Sequence, residues 1–147
     1  MTVIRAFFLA LLCVASIPAM AAKSVTVSDV WVRATVPGQD VTGAFMNITS
    51  TKNAKLVKVT SPAAGAVEIH TMSMKNGVME MRQIESLPLP ANQTVKLEPG
   101  AYHVMLFDLK HPFKARTKIP LTLTVEQGDH KKIKIEVEAD VVDQRGH

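Results

Sequence analysis

The chain is predicted to fold as an all-β protein, an antiparallel Greek-key β-sandwich. Short segments in which apolar and polar residues alternate recur through residues 25–141, and Pro and Gly are frequent in the joins between them. No segment shows the capped 3.6-residue periodicity of a helix. The pairs Asn76-Gly77 and Gly128-Asp129 each lie between two alternating segments, as hairpin turns do. About eight or nine short strands in this arrangement favour a sandwich.

The predicted strands follow from this alternation, taken in chain order. The first carries Trp31, the second contains Phe45 and Ile48, and the seventh, which follows the Glu98-Pro99-Gly100 turn, is the most apolar. Their ranges are 25–33, 43–49, 56–60, 66–74, 78–84, 94–97, 101–109, 119–127 and 131–141.

Residues 1–21 are predicted to be a cleaved signal peptide, and residues 22–147 a single domain. Arg5 makes the start positive, and the apolar run over 6–17 is too short to cross a membrane as a helix. Ala19 and Ala21 supply small residues before the cleavage site, which lies after Ala21 or one residue later. Leu11-Leu12 before Cys13 argues against a lipoprotein. We therefore expect a periplasmic protein without a stable membrane anchor.

Cysteine and charge exclude several classes of function. Cys13 is the only cysteine, so the cleaved chain has no disulfide and no thiolate ligand, and a blue-copper electron-transfer site is excluded. The net charge of +4 is mild, and Lys and Arg are scattered. Lys131-Lys132 alternates with Ile133 and Ile135, which is typical of the solvent face of a strand. We expect no nucleic-acid partner.

A hairpin at Asn76-Gly77 would gather histidine and methionine on one face. If these two residues form a type I′ loop, Met74 faces Met79, Met72 faces Met81 and His70 faces Gln83. Directly opposed residues share a face, and diagonal neighbours such as His70 and Met81 remain within reach of long side chains.

A second His-Met pair lies further along the chain. His103 and Met105 alternate in the strand Tyr102-His-Val-Met-Leu-Phe107, so both side chains point to the same face. Imidazole and thioether are neutral, and the thioether is a soft donor, so two of each suit Cu(I). The candidate metal ligands are therefore His70, Met81, His103 and Met105.

The remaining candidates have simpler explanations. Met is a flexible gap-filler, so core or rim packing is the preferred interpretation for Met46, Met72 and Met79. For Met74, near the hairpin tip, an auxiliary ligand and a residue without function are equally good interpretations. Glu68 and Glu80 flank the hairpin but suit harder ions than Cu(I).

Three further histidines are weaker candidates. His111 and His130 lie in predicted turns and should be solvent-exposed. His147 is the last residue and could reach a metal only as part of a mobile tail.

The complete spacing resembles that of the periplasmic copper chaperone family PCuAC. Ten residues separate His70 from Met81, twenty-one separate Met81 from His103, and one separates His103 from Met105. The flanks Met-Ser-Met-Lys-Asn-Gly-Val-Met-Glu-Met and Pro-Gly-Ala-Tyr-His-Val-Met-Leu are also similar to the family. The likeness extends from Val30-Trp-Val-Arg33 through Thr42-Gly-Ala-Phe45 to Ile119-Pro-Leu-Thr-Leu-Thr124.

The resemblance implies a cupredoxin-like β-sandwich that binds Cu(I) near its surface and passes it on. It implies as acceptor the binuclear copper centre of a cytochrome c oxidase, sometimes with a Sco-type protein. The family's ligand motif falls here on His70, Met81, His103 and Met105. Thr71 stands where many members have a Met, and the tail offers only His147 for the Cu(II) site that some members carry.

The sequence thus predicts a monomeric copper chaperone without enzymatic turnover. A copper buffering or detoxification protein with the same site is the first alternative, and a β-sandwich interaction module that binds no metal is the second. Because imidazoles must be neutral to bind copper, the affinity for Cu(I) should fall below about pH 6.

Overall fold

The structure is a computed structural model that describes residues 23–143. The predicted signal peptide, Cys13 and His147 lie outside these residues. The described part contains strands and turns and no helix, which confirms the predicted all-β class. Its strands are β1 (Val25–Arg33), β2 (Thr42–Ser50), β3 (Ala54–Thr60), β4 (Ala64–Lys75), β5 (Val78–Gln83), β6 (Leu87–Leu89), β7 (Thr94–Leu97), β8 (His103–Leu109), β9 (Lys118–Gln127) and β10 (Lys132–Val142).

The strands form one continuous path in the order β5-β4-β8-β2-β1-β10-β9-β3-β6, and β7 also pairs with β2. The path folds back on itself, so that β3 contacts β4 and β6 contacts β2. The strand pairs are antiparallel except for β1 and β10, where Trp31 pairs with Asp140 in a parallel register. This parallel pair joins the first and last strands, which run side by side in the same direction.

The core lies between the two layers of this folded path. Alternating residues of the strands point into it, which is the pattern that the sequence predicts for a sandwich. Met46 is 1% exposed, in agreement with the packing role favoured for it. Phe113, in the segment between β8 and β9, is also fully buried. The largest buried side chains are Phe113, Met46, Ile48, Leu56, Leu87, Leu89, Leu97, Leu106, Leu121 and Leu123.

Most strands have ends one or two residues away from the predicted ones, and one strand is additional. The short strand β6 is not predicted, because Pro88 and Pro90 lack the N–H group that a central strand needs. In the structure β6 is an edge strand, which pairs only with β3 at one end of the path. Strand β8 begins at His103, since Ala101 N–H donates to the Glu98 carbonyl in the preceding turn. Strand β10 begins at Lys132, after a loop in which His130 has a φ of 61°.

The β4–β5 hairpin has the predicted register. Asn76 and Gly77 have φ values of 51° and 78°, as both central residues of a type I′ turn require. Met74 pairs with Met79, Met72 with Met81, and His70 with Gln83. All six residues of β5 are exposed, so this hairpin extends the sheet beyond the core.

No helix among the described residues is long and apolar enough to cross a membrane.

Candidate metal centre

Three neighbouring strands carry the four predicted ligands. His70 on β4 pairs directly with His103 on β8, and the centroids of the two imidazole rings lie 5.7 Å apart. Met105 lies two residues beyond His103 on β8 and therefore on the same face. Met81 on β5 pairs with Met72, which is two residues from His70 on β4. The sheet thus brings all four residues to one face.

The ring of His103 is held in one orientation by the backbone. Its Nδ1 lies 2.9 Å from the carbonyl oxygen of Ala101, and a carbonyl only accepts, so Nδ1 carries the hydrogen. The lone pair of the neutral ring is then on Nε2. This Nε2 is buried and has no hydrogen-bond partner, and the residue as a whole is 4% exposed.

The ring of His70 is held in the opposite sense by a carboxylate. Its Nε2 lies 2.8 Å from Oε2 of Glu68, so Nε2–H donates and Nδ1 of the neutral ring carries the lone pair. Glu68 and His70 are two residues apart on β4, which places both side chains on one face. His70 is 9% exposed, and its Nδ1 is buried without a partner.

These two nitrogens are unusual in the described part of the chain. Within residues 23–143, His70 Nδ1 and His103 Nε2 are the only fully buried side-chain nitrogen or oxygen atoms that lack a hydrogen-bond partner. Leaving one such atom unpaired costs about 1–3 kcal/mol. These two lone pairs lie on neighbouring strands and have no hydrogen-bond partner. A metal ion bound by both nitrogens would explain why they are left free.

The thioethers border the same space. Met72, Met81, His103 and Met105 line one pocket of about 340 Å³ at the surface. Met81 is 50% exposed, whereas Met105 and Met72 are half-buried. The pocket therefore contains three of the four predicted ligands, and His70 adjoins it through the ring of His103.

An aromatic wall supports the pocket on the side of β2. The ring of Phe45 stacks against Trp31 with centroids 4.4 Å apart, and the guanidinium of Arg33 lies 5.2 Å above Phe45. Gly43 pairs with Met105, and a Cβ atom at Gly43 would lie 3.1 Å from the Phe45 ring and 3.9 Å from the Met105 sulfur. Glycine at this position leaves room for both side chains.

The donor set defines the kind of metal that fits. No cluster of three or more His, Cys, Asp or Glu residues able to hold a metal occurs in residues 23–143, so a site here depends on the thioethers. Two imidazole nitrogens and two thioether sulfurs are neutral and partly soft. Such a set suits a soft cation of low charge and offers little to a hard divalent ion.

The role of Glu68 was missed at the sequence level. The sequence presents Glu68 only as a possible metal ligand, for which its carboxylate is too hard, whereas the structure places it beside His70 as the hydrogen-bond acceptor of Nε2. Its spacing of two residues from His70 was the available signal. His111 and His130 are both exposed, as predicted.

Comparisons with known proteins agree with this fold. The family model "Putative lipoprotein LpqE-like" matches residues 25–137. "Putative lipoprotein Lxx21020" of Leifsonia xyli subsp. xyli (strain CTCB07) is 36% identical over 126 residues, which cover 84% of this chain and 75% of that protein.

Two solved structures have a similar fold. The Cu(I) form of DR1885 from Deinococcus radiodurans is 28% identical, with a TM-score of 0.65 over 86% of this chain and 83% of that one. The copper-bound PCuAC domain of PmoF2 is 18% identical, with a TM-score of 0.62 over 83% of this chain and 97% of that one. The chain therefore belongs to the LpqE-like family, which is the PCuAC family, and has its cupredoxin-like β fold.

Proposed function

We propose that this domain is a copper chaperone that binds one Cu(I) tightly and carries it to a partner protein. The proposed ligands are Nδ1 of His70, Nε2 of His103 and the sulfur atoms of Met81 and Met105. The observation that carries the proposal is the pair of buried imidazole nitrogens without partners, on the same face as the two thioethers. The copper in the structures of DR1885 and the PmoF2 domain supports the choice of metal.

The charge of the site favours the monovalent ion. Four neutral ligands leave the bound copper with its full +1 charge. The carboxylate of Glu68 lies behind the His70 ring rather than in the ligand set, and it makes that imidazole a better donor to the metal. A divalent hard cation would gain no anionic oxygen ligand from these four residues.

Unequal exposure of the ligands suits a carrier. The two histidines are buried, whereas half of Met81 is open to solvent. An incoming thiolate could therefore replace Met81 first while the imidazoles still hold the metal. Copper remains Cu(I) throughout, and one ligand is exchanged for another, so no chemical turnover is part of the proposal.

We place this transfer outside the cytoplasm. The predicted signal peptide supports a periplasmic location, and the naming of the family and of the Leifsonia relative as lipoproteins is consistent with an extracytoplasmic protein. The proposed acceptor is the copper subunit of a cytochrome c oxidase, directly or through a Sco-type protein, and the chaperone is proposed to act as a monomer. Oxidase activity in a deletion strain at low copper tests this: loss of activity supports delivery, whereas copper sensitivity alone supports buffering.

The ligand set is tested by an anaerobic Cu(I) titration against a coloured Cu(I) chelator. The wild-type domain should take one tightly bound equivalent, and the double variant Met81→Leu/Met105→Leu should lose it. Exchange of Met for Leu conserves volume, so the double variant should stay folded, with each exchange costing less than about 1.5 kcal/mol of stability.

Met46→Leu is the matched control, because this methionine is buried in the core and does not line the pocket. It should keep the affinity of the wild type. A wild-type domain that fails to compete with the chelator, or a double variant that still competes, would contradict the proposal.

A further inference from the structure

The outer part of the β4–β5 hairpin has two faces of very different chemistry. One face presents Met72, Met74, Met79 and Met81, and the opposite face presents Thr71, Ser73, Lys75, Val78, Glu80 and Arg82. The second face, mostly polar or charged, is ordinary for an exposed hairpin. The methionine face is not ordinary, because every position on it between the His70–Gln83 pair and the turn carries a thioether.

Packing does not explain the outermost methionines. Met74 is 66% exposed and Met79 is 46% exposed, whereas Met46, which serves the core, is 1% exposed. All six residues of β5 are exposed, so at this end of the hairpin there is no core to fill. The thioethers of Met74 and Met79 are therefore available to a ligand from solvent.

The register lets three of these sulfur atoms converge. Met74 lies directly opposite Met79, and Met72 lies opposite Met81 and diagonal to Met79. Opposed Cβ atoms on such a pair are about 4.5–5.5 Å apart and diagonal ones about 7–8 Å, which is within the reach of the flexible Met side chain. The turn at Asn76-Gly77 fixes this register.

We propose that Met72, Met74 and Met79 form a second Cu(I) site, the outer methionine site, which is weaker than the site of the two histidines. Three neutral thioethers are soft donors that select Cu(I) over hard cations. Without imidazole ligands and with most of its surface open to water, such a site should hold copper more loosely than the inner one.

The outer methionine site adjoins the inner one, and this part of the inference rests on the proposed function. Met72 pairs with Met81, and both line the pocket that contains His103 and Met105. Cu(I) could move inward by exchanging one thioether for the next, with no change in oxidation state and no proton transferred. The hairpin would thus take up copper from solvent or from a donor before the inner site retains it.

The test uses the domain with 13C-labelled methionine ε-methyl groups, titrated anaerobically with Cu(I) beyond one equivalent. The first equivalent should shift the methyl signals of Met81 and Met105. The second should shift those of Met72, Met74 and Met79. Each signal is assigned from the corresponding Met→Leu variant.

The variant Met74→Leu/Met79→Leu should bind the first equivalent with an affinity within about threefold of the wild type and lose the second. Val78→Leu, an exposed apolar exchange at the same turn but on the opposite face, should keep both equivalents. Methyl signals of Met74 and Met79 that do not respond to copper, or a double variant that still takes two equivalents, would overturn the inference.

The inner site can fail separately from the outer one. In Met105→Leu, which alters β8 and leaves the hairpin unchanged, the shifts at Met74 and Met79 should persist. If the wild-type domain shows these shifts without those of Met105, the outer methionine site stands and the proposed function does not. If it shows only the response of Met81 and Met105, the proposed function stands alone.

Discussion

Glu68 offers the sharpest test of how the site is built. In Glu68→Ala the His70 ring loses the acceptor that lies 2.8 Å from its Nε2. The neutral ring could then carry its hydrogen on Nδ1, the atom proposed to bind copper. The ring could also rotate out of the orientation that points Nδ1 at the metal. We expect weaker Cu(I) binding with little change in the fold.

The expected loss of Cu(I) affinity follows from the position of Glu68, which holds the ring of the proposed ligand His70. Removal of a group that orients a metal-binding imidazole typically lowers metal affinity about 10- to 100-fold. This corresponds to about 1.4–2.7 kcal/mol of binding free energy. Glu68→Gln keeps an oxygen that can accept the hydrogen bond and removes only the charge, so its affinity should lie between those of Glu68→Ala and the wild type.

Two measurements separate orientation from general damage. Competition with a Cu(I) chelator gives the affinity, and the 15N spectrum of the His70 ring in the copper-free domain shows which nitrogen carries the hydrogen. In the wild type this should be Nε2, and in Glu68→Ala the signal should move towards a mixture of both forms. Glu80→Ala, on the neighbouring strand but the opposite face, is the control and should change neither quantity.

A Glu68→Ala domain that binds Cu(I) within about twofold of the wild type, while its His70 ring has changed tautomer, would contradict this prediction. That result would mean that His70 does not bind through Nδ1. An unchanged 15N spectrum would show instead that Glu68 does not fix the ring.

Further predictions concern the core, the turn and the pH. Met46→Ala should cost about 2–5 kcal/mol of unfolding free energy in urea, whereas Met74→Ala should cost less than about 0.5 kcal/mol; equal losses would mean that the hairpin tip packs as core. Gly77→Ala places a side chain at a φ of 78°, so it should strain the turn by about 1 kcal/mol. Cu(I) binding in the chelator assay should weaken several-fold, and an unchanged affinity would mean that the turn does not position the ligands. Cu(I) affinity should fall as the pH is lowered below about 6, because protons compete for the imidazole lone pairs; a flat titration from pH 7 to 5 would argue against two histidine ligands.

The features of the fold that the sequence could predict depend on residues close together along the chain. Alternation with a period of two, together with the Asn76-Gly77 turn, was sufficient for the all-β class and for the pairing of every methionine in the hairpin. The parallel contact of β1 with β10 joins segments about a hundred residues apart, which no local pattern encodes. Strand β6 was hidden by its prolines, since an edge strand tolerates residues that a central strand does not.

The site itself was only partly accessible to sequence reasoning. The spacing of His70 and Glu68 put them on one face, but whether a carboxylate binds metal or orients an imidazole depends on where each atom lies in three dimensions. The same holds for His103, whose Nδ1 is engaged by the carbonyl of Ala101 in the turn that precedes β8. Each of these hydrogen bonds joins a histidine to a residue two positions earlier in the chain, but the spacing alone does not say which ring nitrogen it engages and which it leaves free.

The direct pairing of His70 with His103 links copper binding at the proposed site to the folding of the sheet. His70 on β4 and His103 on β8 are separated along the chain by β5, β6 and β7, and they meet only when β4 and β8 have paired. A newly made or partly unfolded chain has no such meeting point, so it cannot hold metal with this geometry. In the proposed function, copper would therefore enter the site of the two histidines only after β4 and β8 have paired.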